Sequence, residues 1–378
     1  MNQIKKSNSQ PILISTLELS GDEYAGWLID QYKQIDPNIT FIGLGGDNAK
    51  KAGMQQNVHF EHHASMAFVD VLKKINIFKK LLDALIKALD ESKPKAVVLI
   101  DSSAFNIKLA KAAKQRGIPV LYLIPPKVWA WATWRVKKLQ RYCDQIACMY
   151  AFETSFFNNH YIPAQTILHP RDALLQPNVS GYVKNSFAIC PGSRTSEIKH
   201  NLPQLLDACA IIAKEKPKAT FGLVVASHRL KALIEEIIKS HSNLNIKLIE
   251  QDQKVFLSQV EVALATSGTL TYELMLLQTP MVVVYRTSQK TSYYIVKSWL
   301  YKPMWVSLPN LIANRTIVTE LLQASMTPEN IAKETLKLCI PHIREDMVKQ
   351  LGVLRQQCMK TDNETLGQIL HGFLTQKK

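Results

Sequence analysis

Several motifs that mark common classes of enzyme are missing from this sequence. It contains no C-x-x-C, no D-x-D, no G-x-S-x-G and no Walker sequence. The six cysteines are scattered along the chain, which indicates a reducing compartment and not a disulfide framework. The absence of G-x-S-x-G and of a Walker sequence argues against hydrolase and ATPase functions. His62 and His63 are adjacent and cannot face one ion from a helix or strand, so we expect no metal and no cofactor.

Long apolar runs and acidic residues are also scarce. No segment stays apolar for the roughly 18 residues that a membrane-spanning helix needs. The opening MNQIKKSNSQ lacks an apolar core, so we expect no signal peptide. Lysine and arginine number 46 against 31 acidic residues, a formal net charge of +15. This excess admits an anionic membrane surface or a phosphorylated substrate as partner. Because the lysines are spread and no nucleic-acid-binding signature occurs, we expect no nucleic acid.

The sequence does have a regular alternation of apolar runs and helical patterns, over a length of 378 residues that allows two domains. Strand-like runs occupy residues 11–16, 40–46, 96–101, 119–126, 145–150, 186–193, 220–227, 246–250, 260–266 and 279–286. Helical patterns lie between them at 23–35, 73–91, 106–116, 199–215, 228–241 and 269–277. Near-continuous apolar runs are typical of strands buried on both faces. We therefore predict an α/β fold of two doubly wound, Rossmann-like domains with parallel sheets.

The alternation stops at 168–185, where proline, asparagine and glycine indicate a linker. We predict an N-terminal domain at 1–175 and a C-terminal domain at 186–345, facing each other across a cleft. Residues 346–378 have a helical pattern, and we expect them to cross back to the first domain. Ligands of such sheets bind beyond the carboxyl ends of the strands, so residues that follow strands are the site candidates.

Two stretches of the first half place carboxylates after strands. ELSGD brings Glu18 to a strand-to-helix junction, followed by Ser20, Gly21 and Asp22. Asp101 ends a buried strand, where a carboxylate is costly unless paired or used, so it is a candidate general base. Alternatively, Asp101 or Ser102 only caps the next helix, and Asn106 is only a polar helix residue.

Two stretches of the second half suit a nucleotide diphosphate. In PGSR, Ser193 and Arg194 open a helix, whose N–H groups and guanidinium favour an anion. Ser267, Gly268 and Thr269 permit a close approach by phosphate or sugar, and Glu273 lies one helical turn further on, where it could accept ribose hydroxyls. The alternative is a surface arginine, a plain N-cap at Ser267 and a surface charge at Glu273.

Two further stretches leave alternatives open. Trp129, Trp131 and Trp134 either line a sugar or acyl site or pack between a loop and the domain. The pattern over 69–93 is a basic amphipathic helix whose apolar stripe could face the core or an anionic membrane, and for most of 78–89 we expect the core. Binding to a membrane surface stays an open alternative for the run MAFVDVL. Its apolar residues would contact the membrane or acyl chains: Met66, Phe68, Val69, Val71 and Leu72.

Taken in order, these segments resemble the lipid-A-disaccharide synthases, inverting glycosyltransferases of the GT-B fold. The resemblance is carried by ELSGD, MAFVDVL, DSSAFN, PPKVWAW, PGSR, SGTLTYE, VVVYR and VSLPNLIANR. It extends over nearly the whole chain. The individual motifs are weak, and their combination is specific.

The resemblance implies a reaction and roles for residues. UDP-2,3-diacylglucosamine and 2,3-diacylglucosamine 1-phosphate (lipid X) would give a β-1,6-linked disaccharide and UDP, without a metal. Asp101 matches the proposed base and Glu18 the acidic residue of the first loop. Arg194 and Asn310 match residues near the UDP. The nucleotide loop matches Ser267, Gly268, Thr269 and Glu273, and MAFVDVL matches a patch that faces membrane and acyl chains.

The same resemblance implies a location in the cytoplasm, peripheral to the inner face of the inner membrane of a Gram-negative cell. A homodimer stays open. The sequence departs from the family pattern at several positions: Leu17 and Leu19 replace glycine and alanine, Ala104 replaces an aspartate, Lys127 a serine and Asn314 a glycine. Another GT-B UDP-N-acetylglucosamine transferase or epimerase, or an inactive nucleotide- or lipid-binding relative, stays an alternative.

Overall fold

The computed structural model describes residues 10–56, 71–131, 133–169, 175–178, 181–286, 305–359 and 364–376. The chain forms two compact units. The first unit comprises Met1–Pro170 and Thr361–Lys378, and the second comprises Arg171–Lys360. Each contains a parallel sheet covered by helices, which confirms the predicted class of two doubly wound α/β domains.

The first unit contains a seven-stranded parallel sheet. Its strands are β1 (Ile12–Ser15), β2 (Phe41–Leu44), β3 (Gln55–Gln56), β4 (Ala96–Ile100), β5 (Val120–Leu123), β6 (Gln145–Cys148) and β7 (Ala164–Thr166). Their spatial order is β3-β2-β1-β4-β5-β6-β7. The chain therefore moves outward from β1 in one direction and from β4 in the other, as in a doubly wound sheet.

Helices cover this sheet between successive strands. They are α1 (Leu19–Ile35), α2 (Asp47–Lys51), α3 (Val71–Ser92), α4 (Ser103–Gln115), α5 (Val128–Trp131), α6 (Val136–Tyr142) and α7 (Ala151–Asn159). The β1 side chains show how the two faces are used. Leu13 belongs to one apolar cluster and its neighbours Ile12 and Ile14 to another. Because successive side chains of a strand point to opposite faces, both faces of the sheet are buried, which explains the continuous apolar runs.

The second unit contains a six-stranded parallel sheet in the order β10-β9-β8-β11-β12-β13. Its strands are β8 (Val183–Cys190), β9 (Thr220–Val224), β10 (Ile246–Ile249), β11 (Val260–Thr266), β12 (Met281–Tyr285) and β13 (Thr319–Leu322). Its helices are α8 (Thr195–Glu215), α9 (Lys231–Ile238), α10 (Gln253–Gln259), α11 (Thr269–Leu276), α12 (Leu308–Ala313), α13 (Pro328–Lys337) and α14 (Pro341–Cys358).

The two C-terminal helices belong to different units. α14 packs on α11 within the second unit. The last helix, α15 (Leu366–Thr375), packs on α1 within the first. The α15 contact is close because Gly367 has no side chain: an added Cβ would lie 2.9 Å from the backbone carbon of Gln31. We expected all of 346–378 to cross back to the first unit. Instead, α14 buries Leu351 and Leu354 in the second unit, and α15 packs on the first.

Three strands have no counterpart among the apolar runs of the sequence. β3 and β7 are the edges of the first sheet, and β13 is one edge of the second. Their sequences, QQ, AQT and TELL, are short and partly polar. An edge strand is covered less completely than a central one, so no continuous apolar run marks it.

Among the described residues, no helix is both long enough and apolar enough to cross a bilayer. Of the predicted membrane contacts, Met66, Phe68 and Val69 lie outside the described residues. Val71 and Leu72 begin α3, and only their backbone is described.

Candidate active site

The loops that leave β1 and β4 lie side by side at the carboxyl edge of the first sheet. β1 and β4 are paired in parallel, with Ser15 opposite Leu99. The strand order reverses between them, which is where a doubly wound sheet binds its ligand. Glu18 and Asp101, the two carboxylates predicted as catalytic, follow these two strands. The fold therefore brings both candidates to the switch point of the first unit.

Asp101 and its neighbour Ser102 both have a left-handed backbone, with φ angles of 53° and 47°. Such a conformation costs of the order of 1 kcal/mol or more per non-glycine residue and persists only where other contacts enforce it. Ser102 is the N-cap residue of α4, but its side chain makes no capping hydrogen bond. Instead, the Ser102 N–H donates to Oδ1 of half-buried Asp101 at 2.8 Å. The side chain of Ser102 therefore does not cap α4.

Two buried side chains hold this turn through the main-chain oxygen of Asp101. Nδ2 of Asn106 donates to that oxygen at 2.9 Å, and the hydroxyl of Tyr122 donates to it at 2.6 Å. Asn106 also accepts from Oγ of Ser15 at 2.8 Å and donates to the main-chain oxygen of Ile100 at 3.0 Å. Asn106 is fully buried, so its amide positions the ends of β1 and β4 instead of meeting a ligand directly.

Glu18 is the exposed N-cap residue of α1, and Ser20 in the first turn is also exposed. Gly21 is buried, and an added Cβ would lie 2.1 Å from Oγ1 of Thr16, so a side chain does not fit there. Burial raises the pKa of Tyr122 well above its usual value, and the nearby Cys143, Asp101 and Glu18 groups raise it further. The phenol thus stays protonated and continues to donate to the turn.

Asp22 contacts the backbone of its own unit. Its carboxylate accepts from the N–H groups of Gly46 at 2.7 Å, Asn48 at 2.8 Å and Ala49 at 3.1 Å. Asp22 is only 2% exposed. It therefore fixes the start of α2, a contact to residues 24 to 27 positions away that the local sequence does not reveal.

A pocket of ≈ 630 Å³ opens beside these two loops. It is lined by Leu17, Glu18, Phe78, Lys79, Leu82, Ser102, Ser103, Ala104, Phe105 and Lys108, from the loop after β1, α3 and the start of α4. Its volume falls within the roughly 300–1,000 Å³ typical of small-ligand sites. The pocket combines apolar walls with both acidic and basic groups.

The tryptophan-rich stretch packs against the same edge of the sheet. Trp129 Nε1 donates to Oε1 of Glu153 at 2.9 Å, and its ring meets that of Phe152 edge-on. Glu153 is buried, and burial raises the pKa of its carboxyl. Arg135 lies close to the start of α4, since its Nη1 donates to Oγ of Ser103 at 3.2 Å. Trp129 thus packs in the domain, whereas Trp134 is 55% exposed.

The second unit has its own switch point, between β8 and β11. These strands are paired in parallel, with Cys190 opposite Ala265. The loop 191–194 and the loop 267–268 therefore leave the sheet as neighbours, and the strand order reverses between them. The two nucleotide-binding stretches predicted from the sequence are thus brought together by the fold.

Glu197 organises the first of these loops. Its Oε2 accepts from the N–H groups of Ser193 at 2.9 Å and Arg194 at 3.2 Å. Its Oε1 pairs with Nη1 of Arg194 at 2.7 Å. The loop turns tightly at Gly192, where φ is 113° and an added Cβ would lie 2.6 Å from Oε2 of Glu197. The Arg194 side chain is 77% exposed, so its guanidinium is accessible to an anion.

The second loop presents small, accessible residues. Gly268 and Thr269 are exposed at the start of α11, and Glu273 is half-buried one turn further on. Ser267 is held at both ends: its N–H donates to the main-chain oxygen of Val284 at 3.0 Å, and its Oγ donates to that of Val306 at 3.0 Å. The Ser267 hydroxyl therefore joins this loop to the segment that precedes α12.

Asn310 supports that segment from within the core. Its Oδ1 accepts from the N–H groups of Ile317 at 2.7 Å and Val318 at 2.9 Å. Its Nδ2 donates to Oε1 of Glu320 at 2.9 Å, and Glu320 in turn accepts from the hydroxyl of Ser307 at 2.6 Å. Asn310 is fully buried, so it positions the loop through its neighbours and does not itself face a nucleotide.

Three residues of the second unit were missed by the sequence reasoning. Glu197 could have been found, because a glutamate three residues after the N-cap is a recognised helix-start signal. Glu320 lies in the partly polar edge strand β13 and carries no local signal. Asn201 accepts from the N–H of Arg286 at 3.0 Å across 85 residues, a pairing only the fold shows. Within the described part of the chain, no group of three or more His, Cys, Asp or Glu could hold a metal ion.

Two doubly wound parallel units in one chain, each with polar and charged side chains at its switch point, are the architecture of the GT-B fold. The fold is similar to the solved structure of Acinetobacter baumannii MurG, with a TM-score of 0.55 and 13% identity over 97% of this chain and 99% of that one. At this identity the likeness shows the fold alone.

The sequence comparisons are more specific. The model of the lipid-A-disaccharide synthetase family matches residues 12–369. A lipid-A-disaccharide synthase of Anaeromyxobacter dehalogenans is 34% identical over 340 residues, covering 86% of this chain and 87% of the relative. One from Coxiella burnetii is 30% identical over 380 residues, covering 97% and 99%. The chain belongs to the lipid-A-disaccharide synthase family and is a glycosyltransferase of lipid A biosynthesis.

Proposed function

We propose that the chain joins UDP-2,3-diacylglucosamine to lipid X, forming the β-1,6-linked disaccharide 1-phosphate and releasing UDP. Membership of the family supports this reaction. The observation that carries it is the strained Asp101 turn at the first switch point, where two buried donors hold the main-chain oxygen of the residue that carries the acid. Strain of this kind is maintained where it aims a side chain.

The first unit binds the acceptor in this proposal. Asp101 accepts the proton of the lipid X 6-hydroxyl as that oxygen attacks the anomeric carbon of the donor. Glu18, across the switch point, orients sugar hydroxyls or supports Asp101. Asn106 and Tyr122 act through the backbone of Asp101, so they are positioning residues.

The second unit binds the UDP portion of the donor. The exposed guanidinium of Arg194 and the small residues Ser193, Ser267, Gly268 and Thr269 would bind the diphosphate. Glu273 would accept ribose hydroxyls. As the bond from the anomeric carbon to the diphosphate breaks, its electron pair leaves with UDP, and Arg194 stabilises the charge that develops. The new bond forms on the opposite face, so the anomeric centre is inverted.

This mechanism needs no bound metal, because a cationic side chain and helix N–H groups meet the departing diphosphate. We further propose peripheral association with the inner face of the inner membrane. Its support is the exposed pair Ile77 and Phe78 on α3, which are 38% and 36% exposed and are followed by Lys79 and Lys80. Apolar groups beside lysines suit an anionic membrane surface.

The direct test uses purified protein, UDP-2,3-diacylglucosamine and lipid X with EDTA present. Release of UDP together with the disaccharide, at equal rates, is the expected result. UDP-N-acetylglucosamine without acyl chains serves as the control donor and should react far more slowly. Absence of the disaccharide, or its formation only when a divalent cation is added, would contradict the proposal.

A further inference from the structure

The ≈ 630 Å³ pocket beside the Asp101 turn has an apolar interior that the reaction at Asp101 does not itself require. Phe78 and Leu82 of α3 lie on one side, and Phe105 of α4 lies on another. The rings of Phe78 and Phe105 have centroids 6.1 Å apart. The pocket is therefore lined by two helices of the first unit and by the loop after β1.

Phe78 is partly exposed to solvent although it lines the pocket and its ring lies against that of Phe105. It is 36% exposed, whereas its neighbour Phe105 is 7% exposed. Exposed apolar surface forgoes about 25 cal/mol for each Å² that could be buried, so a pocket wall of this kind favours an apolar occupant. Leu17 and Ala104 also line it and add to its apolar surface.

The charged groups of the pocket indicate the rest of the occupant. Lys79 of α3 and Lys108 of α4 are exposed, and neither forms an ion pair with another described residue. Ser102, the residue next to Asp101, lines the same pocket. An occupant that suits these features has an apolar tail, an anionic group and a sugar close to Asp101.

We propose that this pocket holds one acyl chain of the lipid acceptor and that Leu17 and Ala104 set which chains it accepts. The inference rests on the proposed function and deepens it, because it assigns the acceptor's acyl chain to a defined set of residues. The chain would lie between Phe78, Leu82 and Phe105, and the acceptor phosphate would be attracted by Lys79 and Lys108. The acceptor sugar is thereby kept at the Asp101 turn.

Ala104→Asp tests the apolar lining with little risk to folding. Ala104 lies in the first turn of α4 and is exposed, and a carboxylate in a first helical turn is favourable. We expect the preference among lipid X analogues of different acyl length to shift by about tenfold, because a carboxylate is costly to desolvate against an apolar chain. The matched control is Ala232→Asp, also exposed in the first turn of its helix, α9, in the second unit. It should leave the preference unchanged.

Leu82→Trp tests the volume of the pocket with a series of lipid X analogues of increasing acyl length. The larger side chain should lower kcat/KM for long chains more than for short chains, shifting the preference by about tenfold. Equilibrium binding of the same analogues provides a second readout that does not need turnover. Thermal unfolding of each variant shows whether it is folded.

The outcomes separate the two proposals. If the unmodified chain forms the disaccharide but Ala104→Asp and Leu82→Trp leave both acceptor KM and chain preference unchanged, the pocket proposal is overturned and the reaction stands. If no disaccharide forms but lipid X binds with a chain-length preference that Leu82→Trp alters, the pocket proposal stands alone. If acyl length affects neither binding nor turnover in any variant, the pocket does not hold an acyl chain, and the proposal fails.

Discussion

Asn106 donates from Nδ2 to the main-chain oxygen of Asp101 at 2.9 Å while its Oδ1 accepts from Oγ of Ser15 at 2.8 Å. One buried amide thus joins the ends of β1 and β4 and fixes the turn that carries the candidate base. The local conformation of Asp101 is therefore set by a residue one helical turn further on and by a strand more than eighty residues earlier. Changes at Asn106 should affect both stability and turnover.

Asn106→Ala should destabilise the protein by about 2–4 kcal/mol, because it removes the hydrogen-bond donor to several buried carbonyl groups. Urea unfolding measures this loss. The control is Asn48→Ala, since Asn48 is exposed and its contact with Asp22 is made by its backbone N–H. It should change stability by no more than about 0.5 kcal/mol. Equal effects of the two substitutions would show that Asn106 does not brace the turn.

Two glycines of α15 should respond in opposite directions to alanine. At Gly367 the added Cβ would lie 2.9 Å from the backbone carbon of Gln31, so Gly367→Ala should cost about 1–3 kcal/mol. Gly372 has open space around its Cβ position, so Gly372→Ala should stabilise the helix by about 0.5–1 kcal/mol. Thermal unfolding of the pair tests whether α15 packs closely on α1. A stabilising Gly367→Ala would contradict that contact.

Glu153→Gln should change how stability depends on pH. Burial raises the pKa of the Glu153 carboxyl above its usual 4.5, outweighing the Trp129 hydrogen bond that lowers it. A raised pKa stabilises the folded chain fully below pH 4.5, and this contribution is lost as the pH rises through the folded-state pKa.

Melting temperatures measured between pH 4.5 and pH 8 should therefore fall more steeply for the unmodified chain than for Glu153→Gln. Glutamine keeps an acceptor for Trp129 but does not ionise. Parallel curves for the two proteins would mean that folding does not raise the pKa of Glu153.

Arg194→Ala should weaken UDP binding without unfolding the second unit. The side chain is 77% exposed and its pair with Glu197 is near the surface, so the pair contributes about 0–1 kcal/mol to stability. The loss of a charged hydrogen bond to diphosphate should raise the Kd of UDP by about tenfold or more. Calorimetric titration measures this, with Arg229→Ala, another exposed arginine of this unit, as control. An unchanged Kd would remove Arg194 from the site.

The sequence was informative where burial and chain order determine the structure. Strands such as β4 and β11 are buried along their whole length, so their apolar runs predict them, whereas the edge strands β3, β7 and β13 carry no such run. The position of Asp101 followed from the rule that sites form at the carboxyl ends of strands.

The roles of individual polar residues were harder to predict, because they depend on long-range contacts. Asp22 and Asn310 were expected to bind ligand, and each is instead used by backbone N–H groups of its own unit. One departure from the family pattern has a simple explanation. Asn314 replaces glycine at a φ of 51°, a left-handed position at the end of α12 that asparagine tolerates better than most residues.

The central claim, that Asp101 accepts the proton from the acceptor, is tested most directly by the turnover of Asp101→Asn. Asparagine retains the shape and the backbone contacts but cannot accept the proton, so kcat should fall by about 10²–10⁴. The Kd of UDP and the melting temperature should stay those of the unmodified chain, and Asp83→Asn on the exposed side of α3 should keep full activity. Full turnover by a correctly folded Asp101→Asn protein would contradict the mechanism.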